Sequence, residues 1–294
     1  MHYVIGDVHG CFDELQVLLQ KIEEMDSEAK YIFLGDFIDR GPKVWETLQW
    51  AMKNITSDGK YRSVLGNHED MAIEWMKEYS KILKRNRTEP APSYSFDFDQ
   101  RMEENIFDQK GRYYFLEEDF IPFITFFESL PLTFTEHIHT KWGIDVTYII
   151  THAWHDPKET NPFYIKENNI WERVYTGYWS DTEEILIHGH TPTLIPEYYV
   201  CGESCTRPGM ISYRHQDVNI DGGCVFFGQN STFIPCMLCA IRLEDLEEIY
   251  PWTLEERLKM SPKYTQKDLK FFQRTFPDIS GCRFRKDILR IMGK

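Results

Sequence analysis

Gly35-Asp36-Phe37-Ile38-Asp39-Arg40-Gly41 follows the apolar run Tyr31-Ile32-Phe33-Leu34 and decides how the rest of the chain is read. Two other polar clusters share its arrangement. Gly6-Asp7-Val8-His9-Gly10 follows Tyr3-Val4-Ile5, and Gly66-Asn67-His68-Glu69 follows Ser63-Val64-Leu65. Each apolar run has strand character, so each cluster belongs where a strand gives way to a loop. In an open α/β sheet those carboxyl ends share one rim, where ligands bind. Asp, His and Asn gathered on one rim form a candidate metal site, suited to divalent ions between hard magnesium and the thiolate-loving metals.

Outward from these loops the pattern is βαβ. Phe12, Leu15, Leu18, Leu19, Ile22 and Met25 recur at helical spacing, predicting an amphipathic helix over 11–25. Val44, Leu48, Ala51, Met52 and Ile55 give a second helix before a strand at 62–65, and a third helix runs from past Glu69 to about Lys84. Such units are right-handed and set successive strands parallel. An insertion at about 85–130, dense in aromatic and acidic residues, is expected to form helices and loops capping the rim. Strands return at 132–135, 146–151, 185–187, 218–221 and 237–243. Two of them run into histidines, at Thr151-His152-Ala153 and Ile187-His188-Gly189-His190-Thr191-Pro192. A second sheet packed on the first would bring His152 and His190 to the same rim. The expected fold is α/β: two central mixed β-sheets packed face to face and flanked by helices. Residues 1–250 are expected to form the main domain and 251–294 a helical C-terminal extension.

The formal charge of −14 over 294 residues argues against nucleic acid as a partner, because such binding relies on a basic stripe that neutralises phosphates. No apolar run approaches the roughly 20 residues needed to cross a bilayer. A first strand beginning by Tyr3 leaves no room for a secretory signal, so a soluble, cytoplasmic protein is expected. Seven scattered cysteines fit reduced thiols. Cys201/Cys205 and Cys236/Cys239 invite a zinc reading. However, Pro235 to Ile241 reads as a strand, where residues three apart point to opposite faces, and packing thiols are expected there instead.

The chain offers Asp7, His9, Asp36, Asn67, His152 and His190 as ligands for two ions about 3.5–4 Å apart, an arrangement that activates water and clamps a phosphoryl oxygen. Beside them, His68 with Asp39 as orienting carboxylate suits protonation of an alkoxide leaving group. Arg40 supplies a planar fork for phosphate oxygens. His188 is read as structural. His2, His137, His139, His155 and His215 are read as solvated or satisfied groups. Tyr94-Ser95-Phe96 and Tyr113-Tyr114-Phe115 are read as packing of the insertion rather than a recognition platform.

Taken in order, the three stretches resemble the GDxHG, GDxxDRG and GNHE signature of the phosphoprotein phosphatase family of calcineurin-like metallophosphoesterases. His152, the 188–192 stretch and Asn219-Ile220-Asp221-Gly222-Gly223 continue the likeness to its bacterial and phage-type branch. Asp39-Arg40-Gly41 narrows the match, since nucleases of the wider superfamily usually lack that arginine. The resemblance implies two metal ions, manganese above iron(II) or zinc, with Asp7, His9 and Asp36 holding one and Asp36, Asn67, His152 and His190 the other. It implies in-line attack by a bridging hydroxide, with His68 as general acid oriented by Asp39. Arg40 and Arg173 would bind phosphate, Arg173 lying in a W-x-R element, Trp171-Glu172-Arg173. The leading expectation is a serine/threonine protein phosphatase acting on phosphorylated proteins or small phosphoesters. Symmetrical hydrolysis of bis(5'-nucleosyl)-tetraphosphate is the nearest alternative, followed by a phosphodiesterase or nuclease and by a partner-recruited binding or scaffold protein.

Overall fold

The computed structural model describes residues 1–85, 97–112, 114–173, 184–195, 205–228, 234–261, 265–275 and 282–294. The first half runs β1 (His2–Ile5), α1 (Phe12–Met25), β2 (Lys30–Phe33), α2 (Val44–Asn54), β3 (Tyr61–Ser63) and α3 (Asn67–Arg85). The insertion contributes α4 (Phe98–Lys110) and α5 (Glu117–Glu128), and β4 (Thr133–His139), β5 (Asp145–Thr151), α6 (Pro162–Trp171) and β6 (Glu184–His188) follow. The remainder is β7 (Cys205–Thr206), β8 (Ser212–Arg214), β9 (Asp217–Asn219), β10 (Ala240–Arg242), β11 (Glu247–Ile249), α7 (Leu254–Lys259), α8 (Gln266–Thr275) and α9 (Arg283–Ile291).

Two mixed sheets result, ordered β11-β10-β1-β2-β3 and β4-β5-β6-β9-β8-β7. The segments β1, β2 and β3 are parallel, as are β5, β6 and β9, while β10, β11, β4, β8 and β7 join through antiparallel pairs. The period-2 alternation of strands divides the core in two. Val4, Ile32 and Leu34 point toward the second sheet and meet Tyr148, Ile150, Ile185, Ile187 and Val218. Their neighbours Tyr3, Ile5, Tyr31 and Phe33 point the other way, onto Leu15, Leu18, Ile22, Leu48 and Ala51 of α1 and α2. The expected face-to-face architecture is therefore present, flanked by helices.

In the insertion, α4 and α5 pack on α3 through an aromatic cluster. Trp75 meets Phe98, Phe115 and Phe120 edge to face, with centroids 6.4, 6.1 and 5.7 Å away, a geometry favoured by the ring quadrupoles. Phe115 is thus packing, while Tyr114 is exposed; the Tyr94-Ser95-Phe96 stretch and Tyr113 lie outside the described residues. At the C-terminus, Ile288 and Leu289 of α9 and the following Met292 enter the core between the sheets. The buried Arg257 of α7 donates to Glu14 Oε2 at 2.9 Å, Pro235 O at 2.9 Å and Cys236 O at 2.7 Å, with Phe227 stacked 3.9 Å from the guanidinium.

Several boundaries differ from the sequence expectation. The strand expected at 237–243 shortens to β10, and 235–239 is irregular. Leu238 N–H bonds to the Glu14 side chain at 2.6 Å rather than to a neighbouring strand, and Cys236 has φ +40°. Cys236 and Cys239 are still buried thiols. Cys282 is disulfide-bonded, which departs from the expectation of reduced cysteines throughout. Among the described residues, no helix is long and apolar enough to cross a membrane.

Candidate active site

Every strand that ends at the rim delivers a polar residue within a residue or a few of its last pair. Asp7 and His9 follow β1, Asp36 follows β2, His152 follows β5 and His190 follows β6, while Asn67 and His68 open α3 just after β3. The third helix therefore already begins at Asn67, ahead of the start expected past Glu69. The loops are stitched together by backbone: Val8 and His9 N–H donate to Asp36 O at 3.2 and 2.7 Å, and Gly189 N–H to His152 O at 2.8 Å. His9, Asp36, Asp39, Arg40 and His190 all hold left-handed backbone, with φ of 44, 51, 68, 71 and 64°. For residues bearing a Cβ this conformation costs about 1–3 kcal/mol each and persists where the surroundings enforce it.

Asp36 is the hub. Its Oδ2 lies 3.3 Å from His9 Nε2 and 3.5 Å from His152 Nε2, and its Oδ1 accepts the His68 N–H at 3.0 Å. Asn67 Oδ1 stands between His152 Nε2 at 2.9 Å and His190 Nδ1 at 3.0 Å. Asp7 accepts the His190 N–H at 3.1 Å through Oδ2. Two groups, His9 with Asp36 and His68, and Asp7 with Asp36 and His152, bring ligand atoms within 4.8 Å of one another. Asp36 belongs to both. All six expected ligands are buried and gathered at one rim.

These residues fit divalent ions. Asp7 Oδ1 and His190 Nε2 are buried without a hydrogen-bond partner among the described residues, which is costly unless something else satisfies them. Burial holds the imidazoles neutral, with His9 down at about 3 and His190 at about 2; His152 is lowered for the same reason. A ligating histidine needs that form. Burial, then the negative charges of Asp221 and Asp36, pushes Asp7 well above the carboxylate range. For Asp36, burial is outweighed by the histidines around it, which pull it down. Three buried carboxylates, Asp7, Asp36 and Asp221, in mutual electrostatic contact are a place for positive charge.

Beside this cluster, His68 Nδ1 lies 2.6 Å from Asp39 Oδ2. Burial lowers the His68 pKa, but the charges of Asp36 and Asp39 more than offset it, and the ring ends above its ordinary value. The exposed Arg40 spans His9 Nε2 at 2.8 Å and His68 Nε2 at 2.9 Å. Arg173 Nη1 is 3.3 Å from Thr191 Oγ1, one residue from His190, and its charge bears on His190 and Asp221. His188 turns to Asp217, its Nε2 3.6 Å from Oδ1.

Two site residues carried no expected role. Glu69 accepts the Asp36 N–H at 2.8 Å and the Phe37 N–H at 2.8 Å; burial, then the charge of Asp36, raises it to about 8. Its signal was its place in the third cluster. Asp221 is buried and raised by burial to about 7, and it accepts the Gly223 N–H at 2.9 Å. It was legible only as part of the Asn219–Gly223 stretch.

The calcineurin-like phosphoesterase family model matches residues 3–228. The asymmetrical bis(5'-nucleosyl)-tetraphosphatase PrpE of Halalkalibacterium halodurans is 27% identical over 261 residues, covering 83% of this chain and 90% of its own. The symmetrical bis(5'-nucleosyl)-tetraphosphatase of Aliivibrio fischeri is 24% identical over 273 residues, covering 89% and 81%. A solved metallophosphoesterase from Sphaerobacter thermophilus is similar over 98% of this chain and 97% of its own, at 16% identity and a TM-score of 0.45. The family match contains all of the rim loops that carry Asp36 and its neighbours, and the chain belongs to the calcineurin-like phosphoesterases.

Proposed function

We propose that the protein hydrolyses phosphoric bonds of dinucleoside polyphosphates, bis(5'-nucleosyl)-tetraphosphate foremost. The observation that carries this is the pair of relatives similar over more than four-fifths of this chain, both named as hydrolases of that compound. The sequence reading put phosphoproteins first and this substrate second, and the long relatives reverse that order.

In this reading Asp7, His9 and Asp36 hold one divalent ion, and Asp36, Asn67, His152 and His190 a second. When bound, the ions supply positive charge beside the transferring phosphoryl group and lower the pKa of water. Glu69 holds the Asp36 loop in place. Arg40 and Arg173 take phosphate oxygens, Arg40 through its planar fork. An arriving phosphate draws the Arg40 fork from His9 and His68, leaving His68 Nε2 to carry a proton to the leaving oxygen while Asp39 holds Nδ1.

One observation favours a second reading. A nucleotide phosphate departs without needing a proton at neutral pH, whereas a serine or threonine alkoxide needs one. The His68–Asp39 dyad therefore supports phosphoserine or phosphothreonine esters as further substrates. The test is manganese-loaded protein given diadenosine tetraphosphate and a phosphoserine peptide side by side, with nucleotide products separated. ADP alone indicates symmetrical cleavage, and ATP with AMP indicates asymmetrical cleavage. A kcat/KM for the peptide about tenfold or more above that for the dinucleotide would overturn the first reading, about 1.4 kcal/mol in transition-state preference.

A further inference from the structure

The first turn of α4, inside the insertion, reaches the catalytic dyad. Phe98 N–H donates to Asp39 Oδ1 at 2.7 Å, while Asp39 Oδ2 bonds His68 Nδ1 at 2.6 Å. One carboxylate is thus shared between an imidazole and a helix terminus, and both contacts are buried. The first N–H groups of a helix have no partner within it. Asp97, the residue before α4, makes no side-chain cap, so Asp39 fills that role from 59 residues away. The donor's position is fixed by packing. Phe98 is fully buried and meets Trp75 of α3 at 6.4 Å, Phe123 at 6.4 Å and Phe127 at 6.2 Å. His68 opens the same helix that carries Trp75.

We propose that the insertion completes the proton donor: the Phe98 backbone N–H is a positioning group that fixes the Asp39 carboxylate, and through it the orientation of the His68 ring toward the leaving-group oxygen. This rests on the reading of His68 as general acid. A carboxylate anchored only by the imidazole can rotate about its Cβ–Cγ bond, and the ring turns with it. Anchoring the second oxygen to a helix amide removes that freedom. The helix end also favours the negative charge that the carboxylate must keep while it orients the ring.

The consequence is selective. A group acting through the proton donor matters for poor leaving groups and little for good ones, whereas general loosening of the site slows both. The experiment replaces Phe98 by its α-hydroxy analogue through nonsense suppression, so that an ester stands in place of the amide and the ring is kept. Phe98→Leu, which keeps the amide and loses the ring, and His68→Asn serve as controls. Each manganese-loaded protein is assayed on phenyl phosphate and 4-nitrophenyl phosphate.

General acids contribute 10²–10⁴-fold, so the ester variant should lose about tenfold in kcat on phenyl phosphate and under about threefold on 4-nitrophenyl phosphate. Phe98→Leu should affect both substrates alike, and His68→Asn should show the same selectivity as the ester, more strongly. If His68→Asn is selective and the ester variant is not, the positioning role is overturned and the general-acid reading stands. If His68→Asn is not selective, that reading fails and the inference fails with it. Hydrogen exchange on the unmodified protein needs no variant to fold. The Phe98 amide should exchange at least about tenfold more slowly than the same amide in an unstructured chain of this sequence, as first-turn amides otherwise lack partners. Equal exchange of the two would overturn the contact.

Discussion

Glu69 grips the backbone of Asp36: its Oε2 accepts the Asp36 N–H at 2.8 Å, while its Oε1 accepts that of Phe37 at the same distance. The first turn of α3 therefore holds the loop after β2 in its left-handed conformation. Glu69→Gln presents an amide N–H to a backbone N–H, and one of these contacts is lost. Partners behind a ligand typically tune metal affinity by about 10–100-fold. Manganese affinity measured by calorimetry should fall within that range, with the circular dichroism spectrum unchanged.

Gly189 passes the site with no room for a side chain. A Cβ there would lie 2.1 Å from Asp7 Oδ1, below any real contact. Gly189→Ala must therefore displace Asp7 and reduce metal binding more than stability. Metal content after dialysis, compared with urea denaturation of the metal-free proteins, separates the two effects.

Metal addition should stabilise the fold in a pH-dependent way. Asp7 is held protonated well above its ordinary range and Asp221 up to about 7, so ions must displace protons to bind. Affinity is expected to rise from pH 5.5 to 8, and a chelator should abolish both activity and the gain in melting temperature. At a manganese concentration 100 times its Kd the gain is about 2.7 kcal/mol. Differential scanning fluorimetry across that pH range checks the sign.

The Glu14–Arg257 pair gives a second pH effect, remote from the metal ligands. Burial raises Glu14 from 4.5 to about 7, against the opposing charge of Arg257. Between those values the folded protein binds more protons than the unfolded chain, so this contribution is present below pH 4.5 and is lost as pH rises through 7. Glu14→Gln mimics the protonated form and lacks the loss. The stability difference should shift toward the variant from pH 5.5 to 8.5, by about 2 kcal/mol at 1.36 kcal/mol per unit. A constant difference in urea midpoints would mean that Arg257 keeps Glu14 ionised throughout.

The rim loops were legible because each combines an apolar run with residues that serve poorly as packing. Asn67 and His190 announce themselves in that way. The two-sheet architecture followed from the strands after the insertion that end in histidine, at His152 and His188, which a second sheet brings to the same rim. The contact between Phe98 and Asp39 could not be read, since a backbone N–H has no residue signature and the two lie 59 residues apart. Residues 235–239 misled because their apolar composition suits a strand, while Glu14 supplies the acceptor that a neighbouring strand would have given. The β8–β9 hairpin was missed because its turn at His215, with φ +51°, carries neither glycine nor asparagine to mark it.

The left-handed backbone of His9, Asp36, Asp39, Arg40 and His190 bears on how this protein responds to selection in the laboratory. At each of these positions glycine would relax the chain and remove a functional group in the same step. A library sorted only for heat tolerance would drift toward such replacements, yielding hardier and inert descendants. Screens meant to improve the protein must therefore read turnover alongside survival from the first round.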